Sequence, residues 1–253
     1  GGSAGCTLAA RLSEDPECSV LLLEAGGEPS RREIGIPLAF FHLLKSEVDW
    51  GFETEPEPHL GGRRLATPRG QVIGGSSSIN GMIYTRGQRE DYDDWAALPG
   101  CEGWSYEEIL PYFKKAEHFE VDADNPHHGH DGELNVTSVT MQYPISQAYI
   151  DAAVSIGIPR NDDLNGVEQE GIGYMQVTMK DGRRWSSADA FLSPEVRRRP
   201  NLIIGLNATV RRVLLDGKRA VGVEYTDKKG KIEIEYYGNE DLGRILELMG
   251  ISV

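Results

Sequence analysis

Two glycine-rich stretches hold the residue types with the clearest chemical use in this chain. The first, GGSAGCTLAARL, places Gly2 and Gly5 at the second and third glycines of the dinucleotide fingerprint G-x-G-x-x-G. In that pattern the second glycine lets backbone approach a pyrophosphate, and the third lets a helix pack closely on a strand. The pattern's first glycine would precede Gly1. About 20 residues further on, Glu24 follows the run VLLL, where a carboxylate can accept hydrogen bonds from ribose hydroxyls. The N-terminus of the following helix adds partial positive charge for a phosphate. An acid at this place suits NAD or FAD and repels the 2′-phosphate of NADP.

The second stretch is TPRGQVIGGSSSINGMIY. Gly74 and Gly75, followed by Ser76, Ser77 and Ser78, offer bare amides and small hydroxyls for close contact with a flat ring or a phosphate. A polar surface loop has the same composition. Apolar Val72-Ile73 on one side and Met82-Ile83-Tyr84 on the other argue against a flexible linker.

Two further clusters invite a functional reading and do not earn one. His127, His128 and His130 lie among Asn125, Pro126, Gly129, Asp131 and Gly132, with no further ligand at regular spacing. A solvated loop without a metal is expected there. Arg197 to Arg199, before Pro200, reads as a solvated turn rather than a binding patch. In GRRWSSADAFL, Arg184 and Ser187 either orient an element against a cofactor or cap a helix that begins near Ala188.

The elements that must carry these residues follow from periodicity. Ala4, Cys6, Leu8, Ala9, Ala10 and Leu12 give a short helix an apolar face, and Pro16 ends it. Val20 to Leu23 is a continuous apolar run, the pattern of a parallel strand buried on both faces. Loop, helix and strand together make the second part of a βαβ unit. In WSYEEILPYFKKAEHFE, Ser105 is placed as N-cap with Glu108 completing a capping box, and Pro111 falls in or near the first turn. GELNVTSV reads as a strand, PISQAYIDAAVSIGI as a helix and YMQVTM as another strand.

Composition narrows the partners. The 253 residues carry 40 acidic against 26 basic side chains, a formal charge of −14, which disfavours nucleic acid. No apolar run approaches the roughly 18 residues of a membrane span. No secretory signal is readable, and Cys6, Cys18 and Cys101 have no metal-like spacing, so a reduced, cytoplasmic setting is expected, or a membrane-peripheral one in the parent protein.

The motifs GSAGCTLAARLSEDP, VLLLEAGG, PRGQVIGGSSSINGMIYTRG, DYDDWA, GWSYEEILPYFKKAE, DLNG, QEGIGYMQVT, GRRWSSADAFL and RPNLII occur in this order up to about Lys229. Together they resemble the glucose–methanol–choline (GMC) family of FAD-dependent oxidoreductases, in its choline and alcohol dehydrogenase branch. The resemblance implies an α/β fold: a Rossmann-like FAD-binding domain lacking its first strand, with part of an α+β substrate domain. It implies an FAD-binding domain over residues 1–120, a partial substrate domain over 121–199, strands returning to the FAD domain over 200–229, and a non-family tail over 230–253.

By the same resemblance, Gly2, Gly5 and Glu24 would hold the ADP half of FAD. Gly74, Gly75, Ser76, Ser77 and Asn80 would lie against the pyrophosphate and isoalloxazine, and the Val210 backbone would meet the adenine. Gln71 stands where a basic residue is usual. Ile79 stands where some family oxidases carry a histidine bonded to flavin, so non-covalent FAD is implied. The parent reaction would oxidise a primary alcohol, choline-like or aliphatic, to an aldehyde. The family's histidine base belongs to a later region, and none of the six histidines falls on its motif. No catalytic residue and no turnover are therefore expected of the chain, and the missing strand implies weak FAD retention. Ile232, Ile234 and Tyr236 alternate as a strand, with a helix face at Leu242, Ile245, Leu246 and Leu248 behind Asn239. This pair resembles the dimerisation element of ParB-type proteins and implies a homodimer. A non-catalytic FAD-binding or dimerising module is the second reading.

Overall fold

The computed structural model of the chain describes residues 1–122, 124–227 and 230–235. These form two compact units, one of Gly1–Asn80 with the residues from Ser186 onward, the other of Gly81–Trp185. The contact boundaries thus fall after Asn80 and Trp185, where the sequence places limits at 120 and 199. Segment 81–120 shares a sheet with the residues that follow it, which draws the first boundary earlier.

In the first unit, the helix Ser3–Leu12 buries Cys6, Ala9 and Ala10, so its inner face is built of small side chains. Small residues let it lie close to the strand Val20–Leu23, and a Cβ on Gly5 would stand 3.3 Å from Leu22 Cδ1. The helix ends at Ser13, where Arg199 donates to the Ala10 carbonyl and the Ser13 hydroxyl. Asn201 donates to the carbonyls of Ser13, Asp15 and Cys18 in the turn that follows. Arg197 pairs with Glu28 at 2.7 Å. The basic triplet is therefore a brace rather than a solvated turn: two of its guanidinium groups find partners donated by distant segments.

The strand Val20–Leu23 pairs in parallel with Leu202–Gly205, in register from Val20↔Leu202 to Leu23↔Gly205. Leu22 is buried, but Val20, Leu21 and Leu23 keep partial exposure. Burial on both faces is thus not reached, because the described sheet here has two strands. A three-stranded antiparallel sheet follows: Thr209–Asp216, Arg219–Asp227 and Gly230–Glu235. Tyr225 and Ala208 are buried in it against Leu21 and Leu23, which fastens this sheet to the first strand. The tail strand expected around Ile232 and Ile234 is present and belongs to this sheet. Tyr236, Asn239 and the helix face from Leu242 to Leu248 lie outside the described residues. A separate apolar cluster of Ile34, Leu43, Val48, Val72 and Ile79 supports the second glycine stretch from below.

The second unit is built on a four-stranded sheet ordered Ile83–Tyr84, Gln176–Val177, Leu134–Ser138, Glu117–Phe119. Its last pair is parallel and the others antiparallel. The helix Tyr106–Ala116 starts at Ser105, whose N–H donates to Glu108 Oε2 at 3.2 Å, as the capping box requires. Pro111 is the sixth helical residue and so lies inside the helix, beyond the first turn where it was placed. Tyr106 and Phe113 of this helix pack against Tyr92. The helix Pro144–Ser155 occupies the stretch where periodicity puts one.

The histidine cluster is the largest departure from the sequence-based picture. His128 is buried, not solvated, and stacks on Phe119 at 3.7 Å. Its two ring nitrogens meet Glu117 and Asp163. Gly129 and Gly132 look like surface-loop residues, yet the loop lies tight against the strand Glu117–Phe119 and the end of the helix before it: Gly129 N–H donates to Glu117 Oε2, Gly132 N–H donates to the Glu117 carbonyl, and a Cβ on Gly129 would stand 1.8 Å from the Lys114 carbonyl oxygen. Among the described residues no group of three His, Cys, Asp or Glu is arranged to hold a metal ion, and no helix is long and apolar enough to cross a membrane.

Candidate cofactor site

The two glycine stretches touch each other. Gly75 has φ +56°, a left-handed conformation open to glycine, and a Cβ there would stand 2.7 Å from the Gly2 Cα. Gly74 N–H donates to the Gly1 carbonyl at 2.7 Å. The Cys6 thiol donates to the same carbonyl at 3.1 Å, and burial pushes that thiol's pKa up, so it stays a neutral donor. Sequence elements some 70 positions apart therefore form one bare backbone surface.

Beside that surface lies a cleft of about 450 Å³. Gly2, Glu24, Gly75, Ser76 and Val210 line it, all singled out in the sequence. Gly5 does not line the cleft; it lies in the first turn of the helix Ser3–Leu12, on the side facing Leu22. Gly74 and Ser77 stand in the supporting turn rather than on the cleft wall, and Asn80 is exposed at the turn's end, its N–H donating to the Ser76 carbonyl. Gln71 does not line the cleft. Ile79 is buried in the apolar cluster under the turn.

Each wall has an identifiable chemistry. Glu24 is 7 % exposed; its Oε1 accepts from the Gly26 N–H at 2.8 Å and its Oε2 lies 3.2 Å from the Gly1 nitrogen. Arg69 is exposed, lines the cleft, and its guanidinium has no partner among the described residues. Asp49 fixes the backbone around Arg69, accepting from the N–H groups of Lys45, Gly51 and Arg69 at 2.8–3.1 Å. Burial of Asp49 works against its charge, but those three donors outweigh it and hold its pKa below the ordinary value. Trp50 and Ala208 supply apolar surface. Arg69 and Trp50 were not singled out in the sequence. Arg69 is visible there as the one cation in TPRGQ, whereas nothing in the sequence marks Trp50.

A bare glycine surface, a helix N-terminus, an unpaired cation and a buried carboxylate beside apolar side chains fit an adenine dinucleotide. The family model for GMC oxidoreductases matches residues 1–241, and the chain belongs to that family. The match runs past Lys229, where the quoted motifs end. Mitochondrial choline dehydrogenase of Mus musculus is 46% identical over 247 residues, covering 94% of this chain and 41% of the relative. Oxygen-dependent choline dehydrogenase of Pseudomonas putida is 47% identical over 239 residues, covering 92% and 42%. Among solved structures, pyridoxine 4-oxidase from Mesorbium loti superposes with a TM-score of 0.89 at 38% identity, over 93% of this chain and 46% of that one. An FAD-dependent oxidoreductase from Chaetomium thermophilum gives 0.85 at 29% identity, over 100% and 48%. The chain thus spans about two fifths of the length of the curated relatives it matches.

Proposed function

We propose that this chain is the FAD-holding part of an oxidoreductase that converts a primary alcohol, choline-like or aliphatic, to an aldehyde, with non-covalently bound flavin as hydride acceptor. The observation that carries this reading is the joining of Gly2, Gly75, Glu24 and Val210 around one cleft. The choline dehydrogenase names of its relatives supply the substrate class.

In this reading the Gly2 and Gly75 backbones and the Arg69 cation receive the pyrophosphate, Glu24 accepts from ribose hydroxyls, and Val210 with Trp50 flanks the adenine. Ile79 has no atom able to bond to a flavin, which supports non-covalent binding. Titration of the purified chain with FAD, followed by quenching of flavin fluorescence, tests the cofactor; NAD in parallel is the control. Saturable FAD binding with release of intact FAD on acid precipitation is expected. Binding of NAD instead, or of neither, overturns the reading.

A further inference from the structure

The motif WSSADAF at 185–191 contributes nothing to the cleft wall, yet it reaches the glycine turn. Its helix, Ser187–Phe191, is closed at the N-terminus by a reciprocal box: Asp189 N–H donates to Ser186 Oγ at 3.2 Å, and Ser186 N–H donates to Asp189 Oδ2 at 2.8 Å. The next amide, that of Ser187, donates to Ser77 Oγ at 2.9 Å, across 110 positions of chain. Ser77 Oγ in turn donates to the Gly74 carbonyl at 2.6 Å. A hydroxyl carries one proton, so that of Ser77 is committed to the turn.

Packing reinforces the link. A Cβ on Gly74 would stand 3.2 Å from Ala188 Cβ, so the helix lies directly on the turn. Gly74 and Gly75 have φ of +89° and +56°, and two successive glycines carry the largest conformational entropy of any dipeptide. Such a turn holds one geometry only where its surroundings impose it. The neighbouring serines do other work: Ser76 Oγ accepts from the Gly70 N–H, and Ser78 Oγ donates to the Ile73 carbonyl.

We propose that Ser77 is a positioning residue: with the Ser187 amide it clasps the Gly74–Gly75 turn and presets the backbone that faces the cofactor cleft. The role rests on the FAD reading above. It assigns WSSADAF a task, since preordering a glycine turn raises affinity by removing the ordering cost from the binding step.

Three substitutions separate this role from simple structural support. Ser77→Ala deletes both hydrogen bonds, Ser77→Thr keeps the hydroxyl, and Ser187→Ala keeps the amide donor. Amide exchange at Ser187 is followed without cofactor, and FAD affinity is measured by fluorescence well below the melting range. In Ser77→Ala, Ser187 exchange is expected to accelerate, and FAD binding to weaken roughly tenfold. Ser77→Thr and Ser187→Ala should stay close to the parent. Unchanged FAD affinity in Ser77→Ala, or a loss that Thr does not restore, overturns the positioning role alone. Unchanged exchange at Ser187 refutes the clasp itself. Failure of the unsubstituted chain to bind FAD overturns the cofactor reading and the positioning role with it.

Discussion

His128 holds Nδ1 3.0 Å from both carboxylate oxygens of Glu117, with neither side chain exposed to solvent. On the opposite edge of the ring, Nε2 lies 3.1–3.2 Å from both oxygens of Asp163. A neutral imidazole has one N–H to give, so a carboxylate on each side calls for the doubly protonated ring. Burial opposes that charge, but the hydrogen bonds to Asp163 and Glu117 outweigh it and raise the His128 pKa above its ordinary value. For Asp163, burial is likewise outweighed, by the bonds from His128 and the Asn165 N–H, and its pKa is lowered.

The pH dependence of stability follows from those directions. A raised folded-state pKa makes the His128 contribution complete below about pH 6.5 and lost as pH rises through the folded value. A lowered one makes the Asp163 contribution complete above about pH 4 and lost as pH falls. The urea midpoint of the second unit is therefore expected to decline on the alkaline side in the parent. His128→Gln, which cannot titrate, should lack that decline. Equal alkaline slopes in the two proteins would sink this assignment of charge.

Arg86 is the counter-charge that makes Glu117 tolerable. Its guanidinium meets Glu117 Oε2 at 2.7 Å, with both side chains at or below 2 % exposure, and also donates to the His127 carbonyl. Removing one partner of a buried pair strands the other, at about 3–5 kcal/mol. Arg86→Met is expected to cost near the lower end, because His128 and the Gly129 N–H still serve Glu117. Equilibrium denaturation measures this directly, and a cost below about 1 kcal/mol, the scale of an exposed pair, would contradict it.

Asp49 connects stability to the cleft. Asp49→Ala orphans three backbone N–H groups, a loss of about 1–3 kcal/mol, and frees the segment that carries Arg69. Because the folded-state pKa of Asp49 is depressed, its contribution is present above about pH 4 and fades as pH falls. The variant should therefore differ from the parent at pH 7 and approach it near pH 2 to 3. FAD affinity should also drop, and Arg69→Ala should lower it without the stability loss. Denaturation at several pH values, with a flavin titration at neutral pH, separates the two effects.

Legibility in the sequence tracked how local each interaction is. The helix Ser3–Leu12, the capping box at Ser105 and Glu108, and the run Val20–Leu23 are set by neighbours within a few positions, and their patterns can be read directly. Gly2 and Glu24 could be singled out because glycines and an acid at fixed spacing carry a known physical task, and Gly75 because a Gly-Gly-Ser run bares its backbone, whereas Val210 came from the family resemblance alone; the structure brings all four to one cleft. His128 was not legible, since its partners Glu117 and Asp163 lie 11 and 35 positions away and its immediate neighbours have loop composition. Arg69 was hidden for the same reason, and so was the bond between Ser77 and the Ser187 amide, though Ser77 itself stood out in the serine run: each takes its role from a segment, around Asp49 or Ser187, that no local pattern links to it.

The contact between the two glycine stretches yields the sharpest substitution. Gly75→Ala meets two penalties at once: a left-handed backbone that an L side chain resists, at about 1–2 kcal/mol, and a Cβ 2.7 Å from the Gly2 Cα. Backbone cannot rotate away as a side chain can, so one stretch must move off the other and the cleft must open. Gly217 isolates the first penalty. It has φ +58° in the turn between two strands, and nothing lies within 4 Å of a Cβ there. Gly217→Ala should cost about 1 kcal/mol and leave FAD affinity unchanged, whereas Gly75→Ala should destabilise more and abolish measurable FAD binding. Denaturation midpoints and flavin titrations of both variants check the contrast. Equal behaviour of the two would mean that the Gly2–Gly75 contact does not shape the cleft.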